Sequence, residues 1–323
     1  MAEHAIEVIA VGRIGVDFYS GQEGTPLQDV RMFSRTQGGS ISNIAVNLAR
    51  LGHSVKLITR VGDEPLGRYL QAYLAKEGVD TSGVIRDPAH NTSLAVVEVF
   101  PPSQFTTLFF RENCADLFLT VDDIPFEDIQ RARILAMSGT SLSRSPAREA
   151  ILSMLQKTAF LTGPKPVVVF DLDYREVLWN SRGEAATYLW AAVQQADVVF
   201  ANDEEMNVLS ALCPSERVID HILARSQMLV HKQGTAGAVV YTNGRRHDIP
   251  PFPAPKVVST NGAGDGFAAA FLHGMLRGYD VPKCGLYGSI AGAIVVSRVG
   301  CSEAMPSLQE IEALVASAPT ASR

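Results

Sequence analysis

Apolar residues along this chain fall into two alternating rhythms. Short, nearly unbroken apolar runs that end in glycine, asparagine or an acid occupy 6–12, 54–61, 134–139, 166–173, 197–202 and 228–234. Runs of that length read as buried strands. Between them come stretches of helical period. Ile41, Ile44, Ala45 and Leu48 fall at i, i+3, i+4 and i+7, and Leu66, Tyr69, Leu70, Tyr73 and Leu74 mark one face of a second helix. Further helices are expected from Ser145-Pro146, over 267–272, over 281–298 and over 307–316. Strand alternating with helix predicts a parallel sheet covered on both faces. The rhythm breaks at 93–111, where two strands flank a turn at 101–104 and predict an antiparallel hairpin. With the irregular segment 14–37 it predicts a small separate sheet, a flap able to cover a substrate and exclude water. A second hairpin is expected where 235–241 turns back on 228–234. The chain reads as one domain over 1–323, with a lid formed by about 14–37 and 92–112.

Composition narrows the choice. The chain has 323 residues, 46% hydrophobic and 19% charged, which supplies a large core and carries no signature of disorder. The net charge of −6, with no extended basic run, argues against a nucleic-acid partner. Four scattered cysteines without a C-x-x-C fit a reducing cytoplasm and not a zinc site. No apolar run approaches membrane-span length, and the acidic N-terminal residues read against a secretory leader.

The chemistry concentrates at 257–267. A β-branched stretch, Val257-Val258, is expected to end a strand and leads to Asn261-Gly262-Ala263-Gly264-Asp265-Gly266, then straight into an alanine-rich helix. Glycines at a helix start bring backbone N–H groups and the positive end of the helix dipole against an anion. An aspartate among those donors suits an anion that forms transiently while the carboxylate takes a proton from a hydroxyl, which is what phosphoryl transfer requires. A dinucleotide fingerprint fits less well, because the third glycine comes one residue early for G-x-G-x-x-G. A plain strand-to-helix turn with a dipole-stabilising aspartate is the other local reading.

Other candidates follow the strand ends. Asp17 lies just past the first strand, where open α/β sheets bind ligands. Gly38 and Gly39 open a helix that Ser40 can cap, and Asn43 sits one turn in. Asn202 and Glu205 share the first turn of a helix, either as ordinary capping or as a pair beside magnesium and phosphates. Lys232 and Gly234 stand at a strand-to-turn junction near phosphate or ribose, or in solvent. There is no P-loop sequence.

Taken together, Gly38-Gly39-x-x-x-Asn43, Asn202-x-x-Glu205 and Gly262-Ala263-Gly264-Asp265-Gly266-Phe267 resemble the signatures of the PfkB (ribokinase-like) carbohydrate kinases, in order and approximate spacing, over roughly 5–310. The resemblance implies an α/β, doubly wound αβα sandwich with a small β-sheet lid. It implies ATP-dependent phosphorylation of a sugar hydroxyl. Asp265 would be the base and Gly262, Ala263 and Gly264 the anion hole. Asp17, Gly38, Gly39 and Asn43 would hold the sugar, and Asn202, Glu205, Lys232, Gly234 and Asn261 would lie toward nucleotide. Glu205 would order Mg2+ through water.

Finer features resemble the branch that acts on sugar acids, and these include Gly12-Arg13-Ile14-Gly15-Val16-Asp17-Phe18-Tyr19, Phe110-Arg111-Glu112 and Asp171-Leu172-Asp173-Tyr174-Arg175. The resemblance to that branch assigns the acceptor carboxylate to Arg111 and Arg175, and a sugar acid does need bidentate cationic donors. Salt bridges to Glu112 or Asp173 are the competing reading of the two arginines. The family usually has Asp-Thr before the glycines and uses that aspartate toward a monovalent cation. Here the pair is Ser259-Thr260, so K+ dependence stays open. Lid sheets of the family often pair two chains, which makes a homodimer through the lid the expected assembly. The alternatives are a kinase of another acceptor (2-keto-3-deoxygluconate, fructose, ribose) and a non-catalytic sugar and nucleotide sensor.

Overall fold

The computed structural model describes residues 6–100 and 106–317, so the turn expected at 101–104 lies outside the described residues. The first strands are β1 Val8–Val11, β2 Gly15–Ser20, β3 Phe33–Gly38, β4 Val55–Gly62, β5 Val84–Asp87, β6 Ser93–Val97 and β7 Thr107–Phe110. They are followed by β8 Ile134–Ser138, β9 Val167–Asp171, β10 Val198–Asn202, β11 Met228–Lys232, β12 Ala238–Thr242 and β13 Arg245–Ile249. Nine strands make one sheet in the order β13-β12-β11-β10-β9-β8-β1-β4-β5. It is parallel from β5 to β11, with β12 and β13 antiparallel at the edge. The other four form a second sheet, β3-β2-β6-β7.

The unbroken apolar strands are explained by burial on both faces. In β1, Ile9 and Val11 join a core with the helices Ala147–Ala159 and Arg182–Val193. Val8 and Ala10 join another with the helices Ser40–Arg50 and Ala263–Leu276. Ala263–Leu276 is buried almost all round, from Gly266 through Gly274 and again at Leu276, as a helix apolar on every side must be. Its Phe271 is fully buried and meets Phe200 edge-on with centroids 5.6 Å apart. A side chain of that size contributes about 1.5–3 kcal/mol by leaving water.

The structure departs from the sequence expectation at several places. Residues 257–260 are not a strand: the amides of Val258 and Ser259 both donate to the Val296 carbonyl. The short strands β5 and β13, unforeseen in the sequence, close the two edges. The helix Arg182–Val193, also unforeseen, is capped by Ser181, which accepts from the Glu184 amide.

Candidate active site

The carboxyl ends of the parallel strands and one face of the second sheet enclose a cavity of about 320 Å³. The second sheet builds its wall by alternation. Asp17 on β2 is level with Ala95 on β6 and Phe109 on β7, and the next row is Tyr19, Val97 and Thr107. All six line the cavity, because residues two apart share a face. Leu108 and Phe110, one position out of phase, are exposed.

Asp265 lies in the first turn of the helix Ala263–Leu276, which starts from Gly262 at φ +79°. That left-handed conformation is open to glycine without steric penalty, and it aims the unpaired N–H groups of the first turn at the cavity. Asp265 accepts from Ser40 Oγ at 2.8 Å and from Asn43 Nδ2 at 2.7 Å. Asn43 in turn accepts from Ser302 Oγ at 2.8 Å. Burial first, and then the nearby Asp173 carboxylate, push Asp265 up to about 7, against the pull of those two hydrogen bonds.

Asp17, Gly39, Asn43, Arg175, Asn261, Gly262 and Asp265 all line the cavity. Asp17 is pushed up to about 6 by burial, opposed by Arg13 and Arg175. Gly38 stands behind it, and any Cβ there would overlap the Asp17 carboxylate. Asn43 points to Asp265, so in this state it positions the carboxylate.

Asn202, Glu205 and Lys232 sit beneath the cavity wall. Asn202 and Glu205 form a reciprocal capping box: Glu205 Oε2 accepts from the Asn202 amide at 2.7 Å, and Asn202 Oδ1 from the Glu205 amide at 2.9 Å. Glu205 Oε1 accepts from the Tyr174 amide at 3.1 Å. Burial pushes Glu205 up to about 7, with Lys232 opposing. Lys232 donates to Asp171 Oδ2 at 2.8 Å. Burial works against its charge, but Asp171 and Glu205 prevail and raise its pKa. Lys232 Nζ is also the nearest group to the face of Gly264, 3.4 Å from where a Cβ would lie. Gly234, at φ +56°, opens the short turn after β11 and stands in open space.

Among the residues expected to hold the acceptor, Gly38 and Arg111 do not line the cavity. Arg111 lies apart from it. It is buried in an ion pair with Asp116 at 2.6 Å and donates to the Thr140 carbonyl and Ser143 Oγ, each at 2.9 Å. A partner five residues along, neither Glu112 nor Asp173, takes up its charge. Arg175 does face Asp173, at 3.4 Å, and stays half-exposed at the cavity.

Sequence reasoning gave no role to Arg13, Tyr19, Phe109, Asp173 or Cys301, all of which line the cavity. The signal for Tyr19 was its place two residues after Asp17. Asp173 holds φ +35°, a conformation that costs a non-glycine residue on the order of 1 kcal/mol or more. Thr140 Oγ1 fixes its carboxylate at 2.7 Å. Seven carboxylates (Asp17, Asp171, Asp173, Glu176, Glu204, Glu205, Asp265) therefore share this end with three cations (Arg13, Arg175, Lys232). Desolvation first, and then the acid excess, raise the Asp265 carboxyl to about 7, and a carboxyl so tuned can take a proton from an alcohol. Among the described residues no group of three or more His, Cys, Asp or Glu is arranged to hold a metal ion. No helix of the described residues is long and apolar enough to cross a membrane.

The model of the pfkB family carbohydrate kinases matches residues 5–308. Proteins named 5-dehydro-2-deoxygluconokinase from Geobacillus kaustophilus and Bacillus subtilis are 38% and 34% identical, over 96% and 97% of this chain and 93% and 97% of theirs. Among solved structures, a sugar kinase from Pyrococcus horikoshii in complex with ATP aligns with TM-score 0.81 at 28% identity, covering 94% of this chain and 96% of that one. A fructokinase from Vibrio cholerae with fructose, ADP and calcium bound aligns with TM-score 0.83 at 27% identity, covering 96% and 98%.

Proposed function

Because the chain belongs to the pfkB family of carbohydrate kinases, and is thus a phosphotransferase with an alcohol group of a sugar as acceptor, we propose that its acceptor is 5-dehydro-2-deoxygluconate. The donor is ATP, and the phosphoryl group goes to the acceptor's primary hydroxyl, in the cytoplasm, as a step of inositol breakdown. The observation that carries the reading is Asp265, a buried carboxyl at about 7 in the first turn of a helix that opens on a left-handed glycine, facing a cavity walled by a second sheet. The relatives 34–38% identical over nearly the whole chain carry the choice of acceptor.

In this mechanism the acceptor hydroxyl lies against Asp265, which takes its proton as the oxygen attacks the terminal phosphorus. The N–H groups from Gly262 to Gly264 receive the negative charge that spreads over the phosphoryl oxygens. Ser40 and Asn43 hold the carboxylate until the hydroxyl competes for it. Asp17, Gly39 and Asn43 hold the sugar. Lys232, next to Gly264, Asn202, Gly234 and Asn261 lie toward the nucleotide. The second sheet closes as a lid and keeps out water, the competing acceptor.

Mg2+ brings charge neutralisation of the phosphates. Glu205 already spends both oxygens on backbone N–H groups, so it fits a role toward the ion's waters and not as a direct ligand. K+ finds no carboxylate at position 259, where buried Ser259 accepts from the Asn261 amide at 3.2 Å. The exposed Met32, Phe33, Leu108 and Phe110 make the second sheet the place where two copies would meet.

The test is ADP release from ATP-magnesium against 5-dehydro-2-deoxygluconate, 2-keto-3-deoxygluconate, fructose, ribose and adenosine. The expected outcome is a preference for the first by at least about tenfold in kcat/KM, equivalent to about 1.4 kcal/mol. Preference for fructose or ribose would replace the acceptor and keep the kinase.

A further inference from the structure

Among the described residues, one cation at the cavity has no ion-pair partner. Arg13 follows Gly12 at the carboxyl end of β1 and is 7% exposed. Its amide is fixed by Ser141 Oγ at 3.1 Å. Its guanidinium lies 5.6 Å from the centre of the Phe109 ring, which belongs to the opposite, second sheet. Nε is buried with no hydrogen-bond partner, and among the described residues the side chain makes no ion pair. The other buried arginines have counter-charges: Arg111 pairs with Asp116 and donates to Thr140 and Ser143, although its Nη2 makes no hydrogen bond, and Arg148 pairs with Glu184 at 2.9 Å and donates to the carbonyls of Leu142 and Ser143.

Burying a guanidinium without hydrogen bonds or a counter-charge is costly, and a fold tolerates it where a ligand completes the site. The nearest anionic influence on this region is Asp17, whose titration Arg13 and Arg175 both affect. Among the described residues Asp17 makes no ion pair with Arg13, and the two line the same cavity. The guanidinium's planar fork of donors fits a carboxylate bidentately. Arg13 and Arg175 line the same cavity as the base Asp265, which suits an acceptor that carries both a carboxylate and a hydroxyl.

We propose that Arg13 is the residue that recognises the acceptor's carboxylate, with Arg175 at its side, and that Arg111 is a structural arginine of the neighbouring turn. The assignment rests on the sugar-acid kinase reading above. It places specificity for an acid on the loop between β1 and β2, where a neutral-sugar kinase has no need of an unpaired cation.

The experiment compares kcat/KM for the sugar acid and for its neutral C1 amide in wild type, Arg13→Met, Arg13→Lys and Arg111→Met. A charge-assisted hydrogen bond of the usual strength corresponds to roughly a 10- to 150-fold effect. Arg13→Met should therefore lower the acid-over-amide ratio by roughly that factor. Arg13→Lys keeps charge without the fork and should fall between wild type and Met, which keeps the test valid if Arg13→Met does not fold. Arg111→Met should lower thermal stability without moving the ratio. An unchanged ratio in both Arg13 variants, or a ratio that follows Arg111 instead, overturns the proposal. A wild type that turns over neutral sugars and neither the acid nor its amide overturns the sugar-acid reading itself, and this assignment falls with it.

Discussion

Asp265 and His273 sit on the same helix, eight residues or about 12 Å apart along its axis, at opposite ends of the large sheet. His273 is fully buried and Asp265 half-buried at the cavity, and desolvation pushes both toward their neutral forms: Asp265 up to about 7 and His273 down to about 4. Their neighbours differ. His273 Nδ1 pairs with His53 Nε2 at 2.9 Å, His53 Nδ1 pairs with Glu7 at 3.0 Å, and Arg133 closes on Glu7 at 2.9 Å. The His273 ring stacks on Tyr287 at 5.8 Å. That end is closed, and its titratable groups satisfy one another. Asp265 has two hydrogen bonds, excess carboxylate charge around it and a cavity in front. The same desolvation that makes His273 a packing residue makes Asp265 a base, because only Asp265 is open to a ligand.

The largest effect that tests this contrast is Asp265→Asn. General-base catalysis contributes about 10²–10⁴-fold, so turnover should fall by about 10³-fold or more. The melting temperature should hold or rise, since a strained carboxylate is removed and the Ser40 hydroxyl can reverse to accept from the new amide. Steady-state turnover and a thermal melt on the same sample check both halves, and a variant that keeps its kcat breaks the comparison. Lys232→Met comes next. It leaves Asp171 and Glu205 without their shared cation and should cost about 3 kcal/mol of stability, and it should raise KM for ATP about tenfold or more. Denaturant unfolding and an ATP titration read the two effects separately.

A smaller effect contrasts the two ends by the sign of their pH dependence. His273 has a depressed folded pKa, so the unfolded chain takes the proton first and stability falls as pH drops from 6.5 toward about 4. Asp265 has a raised folded pKa, so its contribution runs the other way: stability is gained as pH falls from about 7 toward 3.8. Between pH 7 and 5, His273→Gln should lose about 1–2 kcal/mol less stability than wild type, and Asp265→Asn should lose more than wild type. Urea unfolding at the two pH values measures both, and equal losses in all three proteins would remove the distinction between the ends.

How much of this the sequence reveals depends on how local each cause is. Gly262, Asp265 and the helix behind them are readable because turn, cap and carboxylate lie within a few residues. The segments 14–37 and 92–112 contain the four strands of the second sheet but for Gly38, the last residue of β3, since a break in βα rhythm is a local pattern. Long-range partners are not local. Nothing in the spacing says that Ser40 and Asn43 reach Asp265 across more than 220 residues, or that Arg13 ends without a partner while Arg111 finds Asp116. Val257-Val258 has β-branched residues and still forms no strand, because strand formation needs a free edge as well as propensity. Asp173 reads as an acid at a strand end, but its positive φ comes from the tertiary setting.

The most direct test of the central claim is the pH dependence of kcat/KM for the acceptor, measured from pH 5.5 to 9 at saturating ATP-magnesium. A base held at about 7 predicts an acid limb with its midpoint near pH 7, falling about tenfold per pH unit below it. A profile flat down to pH 5.5 would contradict the claim, and with it the view that desolvation and the neighbouring carboxylates tune Asp265.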